Sequence, residues 1–173
     1  EQPLDEVKAK KILFVAGGVG AAPVYPQVKW LHEHGVAADV IVGSKTKDLL
    51  IDSITSADLV NISAEKTVTA KAHTDGSSNI TAAALRIVKS NAVGTKDQNL
   101  KTNISGNMEI SSTGDIYVTQ QGIANVKNIT SSRNNGTVSL TAGSIANEAD
   151  GTTAAITASS ILLHATTGSI GNT

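Results

Sequence analysis

The residue types that could do chemistry cluster near the start of this 173-residue chain. Gly17-Gly18-Val19-Gly20-Ala21-Ala22-Pro23 is a glycine-rich turn after an apolar run, and Ser44-Lys45-Thr46 follows a second apolar run. Such a turn suits a phosphate group, because glycines let the backbone approach an anion and the free amides of a helix start point at it. The strict G-x-G-x-x-G spacing is not met, since Gly18-Val19-Gly20 leads into Ala21-Ala22-Pro23. Spacing alone therefore leaves a tight turn and a phosphate cradle equally open. His32 and His34 flank Glu33, but an i, i+2 pair lies on different helical faces, which favours a solvated last turn over a metal site. Trp30 beside them reads as a packing residue. His73 and His164 have no obvious carboxylate or histidine partners and read as surface or wall positions. Asp75, Asp97, Asp115 and Asp150 lie beside turn glycines or polar loops, where Asx turns are expected. There is no cysteine, which removes disulfides, thiolate metal sites and cysteine nucleophiles.

The elements that would position the turn are legible around it. Ile12-Leu13-Phe14-Val15-Ala16 reads as a buried parallel strand. Val24, Val28 and Leu31 fall at helical spacing up to Gly35, a natural helix stop, and Ala38-Asp39-Val40-Ile41-Val42-Gly43 is a second strand. Strand, glycine turn, helix and strand make a βαβ unit with the turn at the carboxyl end of its strands.

The run from Ile12 to Leu50, through Ala16-Gly17-Gly18-Val19-Gly20-Ala21-Ala22-Pro23-Val24-Tyr25-Pro26 and Gly43-Ser44-Lys45-Thr46-Lys47-Asp48-Leu49-Leu50, resembles the pyridine-nucleotide-binding half of ferredoxin-NADP reductase-like flavoproteins. Within that family it resembles the sulfide dehydrogenase and dihydroorotate dehydrogenase electron-transfer subunits. The resemblance implies that Gly17, Gly18, Gly20 and Pro23 cradle the cofactor pyrophosphate. It also implies that Ser44, Lys45 and Thr46 meet the adenosine ribose or its 2′-phosphate. The family's flavin-binding barrel, further nucleotide-sheet strands and iron-sulfur cysteines have no counterpart in the sequence, so hydride transfer is not expected. No cofactor is expected, with weak NAD(P) binding as the remaining option. Half of such a fold has an open edge and bare apolar faces, so it must lean on something else.

Beyond Ile51 the composition changes. Phe14, Tyr25, Trp30 and all three prolines precede Asp52, and Tyr117 is the one aromatic after it. A stretch with so few large aromatics needs a core of stacked small aliphatics, which favours a repeat solenoid. Asn-Ile-Ser/Thr recurs at Asn61, Asn79, Asn103 and Asn128, and Ala155-Ile156-Thr157 continues it. Ile62, Ile80, Ile104, Ile129 and Ile156 are thereby expected to stack, at separations of 18, 24, 25 and 27 positions. A second phase is Gly-polar-Ile at Gly114, Gly143 and Gly168. Leucine-rich and calcium-binding nonapeptide patterns are absent. The expected fold is mainly β: a right-handed parallel β-helix over 52–173, preceded by a short Rossmann-like βαβ segment over 1–51 that caps the first coil.

Gly114-Asp115-Ile116-Tyr117-Val118-Thr119, Thr141-Ala142-Gly143-Ser144-Ile145 and Ala165-Thr166-Thr167-Gly168-Ser169-Ile170-Gly171-Asn172 resemble the shaft repeats of filamentous haemagglutinin-type, leukotoxin-like adhesins, over 56–173. That resemblance implies an exported β-helical stalk with no catalytic residues, and leaves the host-surface ligand open. The Asn-x-Ser/Thr triplets at Asn61, Asn79, Asn103, Asn128 and Asn135 are read as repeat positions more than as glycosylation sites.

The whole reads as a chimera, a structural shaft segment joined to a non-catalytic reductase fragment. The alternative is an NAD(P)-binding fragment of a flavin-dependent electron-transfer oxidoreductase. A formal net charge of -1 leaves no electrostatic footprint for nucleic acid or an anionic membrane, and no apolar run approaches the ~20 residues of a span. The start, Glu1-Gln2-Pro3-Leu4-Asp5-Glu6, lacks an initiator Met and a signal-peptide layout, which points to an internally excised piece. The repeat wording suggests a secreted or cell-surface location and the reductase wording a cytoplasmic one. Self-association is expected at the open ends of the solenoid.

Overall fold

The computed structural model describes residues 12–17, 21–36, 38–44, 48–152 and 154–171. Of the nucleotide-turn residues, Gly18, Gly20, Lys45 and Thr46 lie outside them.

Ile12–Gly17 (β1) and Ala38–Ser44 (β2) run parallel, Ile12 opposite Ala38 and Gly17 opposite Gly43, joined by the helix Ala21–Glu33 (α1). The helix stops as its sequence predicts. Gly35 takes φ +71°, its N–H donates to the His32 carbonyl, and the Val36 N–H reaches back to Leu31 at 2.9 Å. Leu31 and Val36 are both buried, which supplies the apolar contact of such a cap.

Among the described residues no second helix follows β2. The chain passes to two short strands of a second sheet, Leu49–Ile51 (β3) and Ile54–Thr55 (β4), and then returns to the first sheet as Leu59–Ala64 (β5). β5 lies parallel to β2, with Val40 opposite Val60 and Val42 opposite Ile62. The composition boundary at Ile51–Asp52 thus falls between two strands of one sheet. Ile51 is buried in the same core as Val60 and Val68.

The remaining strands alternate between the two sheets. Ala84–Ser90 (β8), Asn107–Ser112 (β11), Ile123–Ser131 (β13), Ser144–Asn147 (β15) and Ile156–Thr157 (β16) continue the first. Thr67–Ala70 (β6), Ile80–Ala82 (β7), Ala92–Val93 (β9), Leu100–Ile104 (β10), Ile116–Gln120 (β12), Thr137–Ala142 (β14) and Ser160–Ala165 (β17) continue the second. Every pairing among the described residues is parallel. The result is a parallel β-solenoid of about five turns. In the early coils the second sheet is split: β3, β6 and β9 stack on one side, β4, β7 and β10 on the other, and both columns meet on β12.

Alternation along each strand turns Val, Ile, Leu and Ala inward and Thr, Ser, Asn and charged residues outward, as burial along β5 and β14 shows. The core is aliphatic apart from Met108, and the single late aromatic, Tyr117, points outward between buried Ile116 and Val118. One column runs through Ile62, Ile87, Ile110, Ile129 and Ile156, with gaps of 25, 23, 19 and 27 residues. This corrects the expected phase. Ile80 and Ile104 belong to the second sheet, Ile80 against Ile54 and Ile104 against Ala82. Their Asn-Ile words match those of the first sheet because either sheet asks for the same polar-apolar alternation. Of the Gly-polar-Ile words, the last two do stack, Ile145 against Ile170, whereas Ile116 lies in the second sheet.

Unequal coil lengths are absorbed locally. Lys89 takes φ +60° where the β8 to β11 register shifts, and Lys127 is the extra residue where β13 slips against β11. Gly114 closes on the previous coil so tightly that a Cβ would meet the Asn91 carbonyl oxygen.

Ile110, fully buried in the isoleucine column, is the position to test. Ile110→Ala is expected to cost about 3 kcal/mol in urea unfolding, whereas Ile123→Ala, at a side chain 54% exposed, stays within about 0.5 kcal/mol of the parent. Equal losses at the two sites would contradict the stacked core.

Candidate functional site

The parallel pairing of β1 and β2 brings Gly17, the start of α1 and Ser44 to one end of the pair, with Pro23 in the first turn of the helix. That is the carboxyl end of the strands, and residues 18–20 of the expected turn lie outside the described residues.

The open end of the first coil forms a second locus. Val24 and Val28 of α1 face Val40, Leu49, Ile51 and Ile54 across a cavity of about 780 Å³. Lys29, His32, Glu33 and Asp52 stand among its polar lining. α1 therefore lies over the interior of the first coil, on the side that β3 and β4 occupy one coil later. Lys29 and Glu33 approach to 3.9 Å along the helix.

Trp30 differs from its sequence reading. It is half exposed and stacks on His34, with ring centroids 4.1 Å apart and planes 23° from parallel. His34 Nδ1 lies 2.7 Å from the Trp30 carbonyl, to which it can only donate. The two groups seal the end of the helix together. His32 and His34 do not converge, and among the described residues no group of three or more His, Asp or Glu side chains could hold a metal ion.

The residues that sequence reasoning missed sit at a corner beside the cavity. His73 Nε2 is 2.8 Å from the Asp52 carbonyl and 3.4 Å from its carboxylate, and Lys71 Nζ donates to the same carboxylate at 2.8 Å. Lys101 Nζ donates to the His73 carbonyl at 3.1 Å. Behind them Asn79 is fully buried. Its Nδ2 lies 2.9 to 3.2 Å from the carbonyls of Ile51, Asp52 and Lys71, and its Oδ1 accepts the Lys101 N–H at 3.1 Å. Partners 19 to 28 residues apart are one coil apart, so the coil period, had it been phased correctly, would have paired His73 with Asp52. The loop between Lys71 and Asn79 is further fixed by Asp75, whose carboxylate accepts the Ser77 N–H at 2.9 Å and hydroxyl at 2.7 Å. These bonds, the backbone one foremost, hold the Asp75 carboxyl below its ordinary range.

Gln120 plays the same part where the split sheet rejoins. Its Oε1 accepts from Thr102 Oγ1 and the Ile104 N–H, and its Nε2 faces the carbonyls of Ile104, Gln121 and Ile123. Both amides occupy polar gaps in an aliphatic interior. Apart from the Thr102 hydroxyl on Gln120, their bonds are met by backbone, which marks them as anchors of the coil stack.

A protein of Clostridium beijerinckii described as "Uncharacterized protein in adh 3'region" is 70% identical to this chain over 50 residues. The match covers 29% of this chain and 17% of that protein. No protein-family model matches the chain, and no solved structure matches it. No helix among the described residues is long and apolar enough to cross a membrane.

Asn79→Ala would remove the acceptor of the Lys101 N–H and the amide donor to three carbonyls, of which those of Ile51 and Asp52 keep the Lys71 N–H and His73 Nε2. The expected cost is on the order of 3 kcal/mol in chemical unfolding, with faster amide exchange at Lys101. An unchanged midpoint would show that water replaces the amide without loss.

Proposed function

We propose that this chain is a structural segment of a β-helical shaft, of the kind carried by exported filamentous adhesins, with its amino-terminal strand-helix-strand unit serving as a cap and not as a catalyst. The observation that carries the reading is the unbroken stack of parallel coils, aliphatic inside and Thr-, Ser- and Asn-rich outside, from β5 to β17. Such a body has length and stiffness as its product. Each added coil extends it by about 4.8 Å. The right-handed turn of the helix, the export route and the adhesin role follow from the resemblance of Gly114–Thr119, Thr141–Ile145 and Ala165–Asn172 to shaft repeats. A cap is needed because an open first coil exposes both an apolar interior and unpaired strands. The position of α1 over Leu49, Ile51 and Ile54 supports that role. No reaction is assigned to the chain.

The export reading is tested by fractionating the source cells and probing with an antibody raised against residues 52–173. Signal at the surface or in the medium is expected, and signal confined to the cytoplasm would defeat it.

A second reading retains the turn as an NAD(P) site, with Gly17, Gly18, Gly20 and Pro23 at the pyrophosphate and Ser44, Lys45 and Thr46 at the ribose or 2′-phosphate. What favours it is topological: β1, the start of α1 and the end of β2 meet at one place. Against it, the strand that pairs with β2 on its other side is β5 of a solenoid coil, and among the described residues no second helix continues the βαβ pattern. The anisotropy of NADPH emission, followed with protein up to about 1 mM, should stay flat. A saturable rise that Gly18→Asp abolishes would instead establish the nucleotide site.

A further inference from the structure

We propose that the cavity between α1 and the first coil is a binding site for an unbranched fatty acid of about ten carbons, its tail along Val24, Val28 and Val40 and its carboxylate at Lys29 and His32. The site depends on α1 and β2 to β4 alone, so it stands or falls apart from the export reading.

The cavity lies within one continuous stretch of the chain, lined by α1, by Val40 of β2 and by residues 49–55 of the first coil. Its helical wall consists of two rows. Val24, Val28 and His32 form one, and Tyr25, Lys29 and Glu33 the other, at the four-residue spacing that puts side chains on one helical face. Both rows change character along the axis, apolar in the first two turns and polar in the last. Glu33 follows Val24 by nine residues, about 14 Å of helix, which an extended chain of about ten carbons spans.

The opposite wall shows what the site lacks. Leu49 pairs with Val68 and Ile54 with Ile80, and both of those partners are wholly buried one coil on. Leu49 and Ile54 are only partly buried, as are Val24 and Val28 across from them. Tyr25 and Leu50, at the same cavity, are 58% and 62% exposed. The inward columns of β6 and β7 therefore end at a gap that the side chains of α1 do not close. At about 780 Å³ this gap has the size of a small-molecule site, and apolar walls with a few polar groups are the usual make-up of one.

The state of the charged groups selects the head. Asp52 is already held by Lys71 at 2.8 Å and by His73 at 3.4 Å. Glu33 and Lys29 approach only to 3.9 Å, with both side chains more than half exposed. His32 has no side-chain partner among the described residues. The carbonyls of Trp30, Leu31 and His32 are taken by the N–H groups of His34, Gly35 and Val36. Lys29 and His32 are thus the least committed groups at this end, and both can donate to a carboxylate.

Isothermal titration of the 173-residue chain with hexanoate, octanoate, decanoate and dodecanoate tests the site. Affinity should rise about fourfold per methylene up to decanoate, the factor set by burying one CH₂, and level off at dodecanoate, whose end no longer fits. Decylamine, with a tail of the same length and the opposite charge, should bind about fivefold more weakly than decanoate. Lys29→Gln should weaken decanoate about threefold and leave the chain-length dependence unchanged. Val28→Trp fills the slot midway, so it should abolish binding while keeping the β-rich circular dichroism of the parent. Val24→Phe, at the apolar end, should instead move the best fit to octanoate. No heat with decanoate at about 1 mM would overturn the proposal. So would an affinity that keeps rising through dodecanoate or survives Val28→Trp, since either marks unspecific adsorption to apolar surface. Decylamine binding as tightly as decanoate would overturn the place of the carboxylate at Lys29 and His32.

Discussion

The constraint on which the rest of this structure depends is that no coil can satisfy its own backbone. Each strand from β5 to β14 finds its hydrogen-bond partners one coil before and one coil after, in parallel register. Inward positions must therefore coincide from coil to coil even when the number of residues between them does not. The isoleucine column keeps its alignment across gaps that range from 19 to 27 residues. The slack goes into the corners and bulges, into the loop from Lys71 to Asn79 and into the extra residues at Lys89 and Lys127. Columns are kept strictly because a one-residue slip would turn a whole apolar row into solvent.

The same constraint explains the buried amides. Where the second sheet is split, the strand ends on either side of the gap carry carbonyls and N–H groups that side-chain amides bond in addition to the coil-to-coil backbone bonds. Leaving such groups unpaired inside an aliphatic core costs more than a side chain does to bury with all its bonds made. Asn79 and Gln120 stand at two of these gaps, each bridging backbone from different coils. Ser90, Ser112 and Ser131 continue the pattern at the inner ends of β8, β11 and β13, with Ser112 Oγ donating to the Ser90 carbonyl and Ser131 Oγ to that of Gly114. The charged groups outside, such as Glu109 between Arg86 and Lys127, are exposed pairs of small energetic weight.

These features divide what could be read in the sequence from what could not. Alternation of apolar and polar residues over four to six positions is local, and it disclosed the strands, the aliphatic core and the solenoid. The stop of α1 at Gly35 was equally local. Phasing was not. Asn79-Ile80-Thr81 and Asn128-Ile129-Thr130 use the same words, yet one lies in the second sheet and the other in the first, since each sheet imposes the same alternation. Only pairing across coils separates them. The corner formed by Asp52, Lys71, His73 and Asn79 was invisible for the same reason, its members being neighbours only once the coil length is known. Trp30 was misread because its partner, His34, becomes a neighbour through the helix end and not through a core.

The junction at Ile51–Asp52 shows how far composition and structure can part. By residue usage it divides an aromatic- and proline-bearing segment from a Thr-, Ser- and Asn-rich one. By hydrogen bonding nothing is divided: β2 pairs with β5 across it, β3 pairs with β6, and Ile51 is buried with Val60 and Val68. A lone strand-helix-strand unit has two sheet edges and an apolar face to cover, and the first coil of a solenoid has an open edge and an open interior. Each supplies what the other lacks. The strand edge of β2 continues the first sheet, and α1 stands where the second sheet has no strand. The fit is complete in the sheet, where the backbone repeat is common to all parallel strands. It is loose under the helix, where side chains must interdigitate and a cavity of about 780 Å³ remains between Val24, Val28 and the first coil. Backbone complementarity is generic and side-chain complementarity is specific, so a junction between segments of unlike composition closes first through its hydrogen bonds and last through its packing.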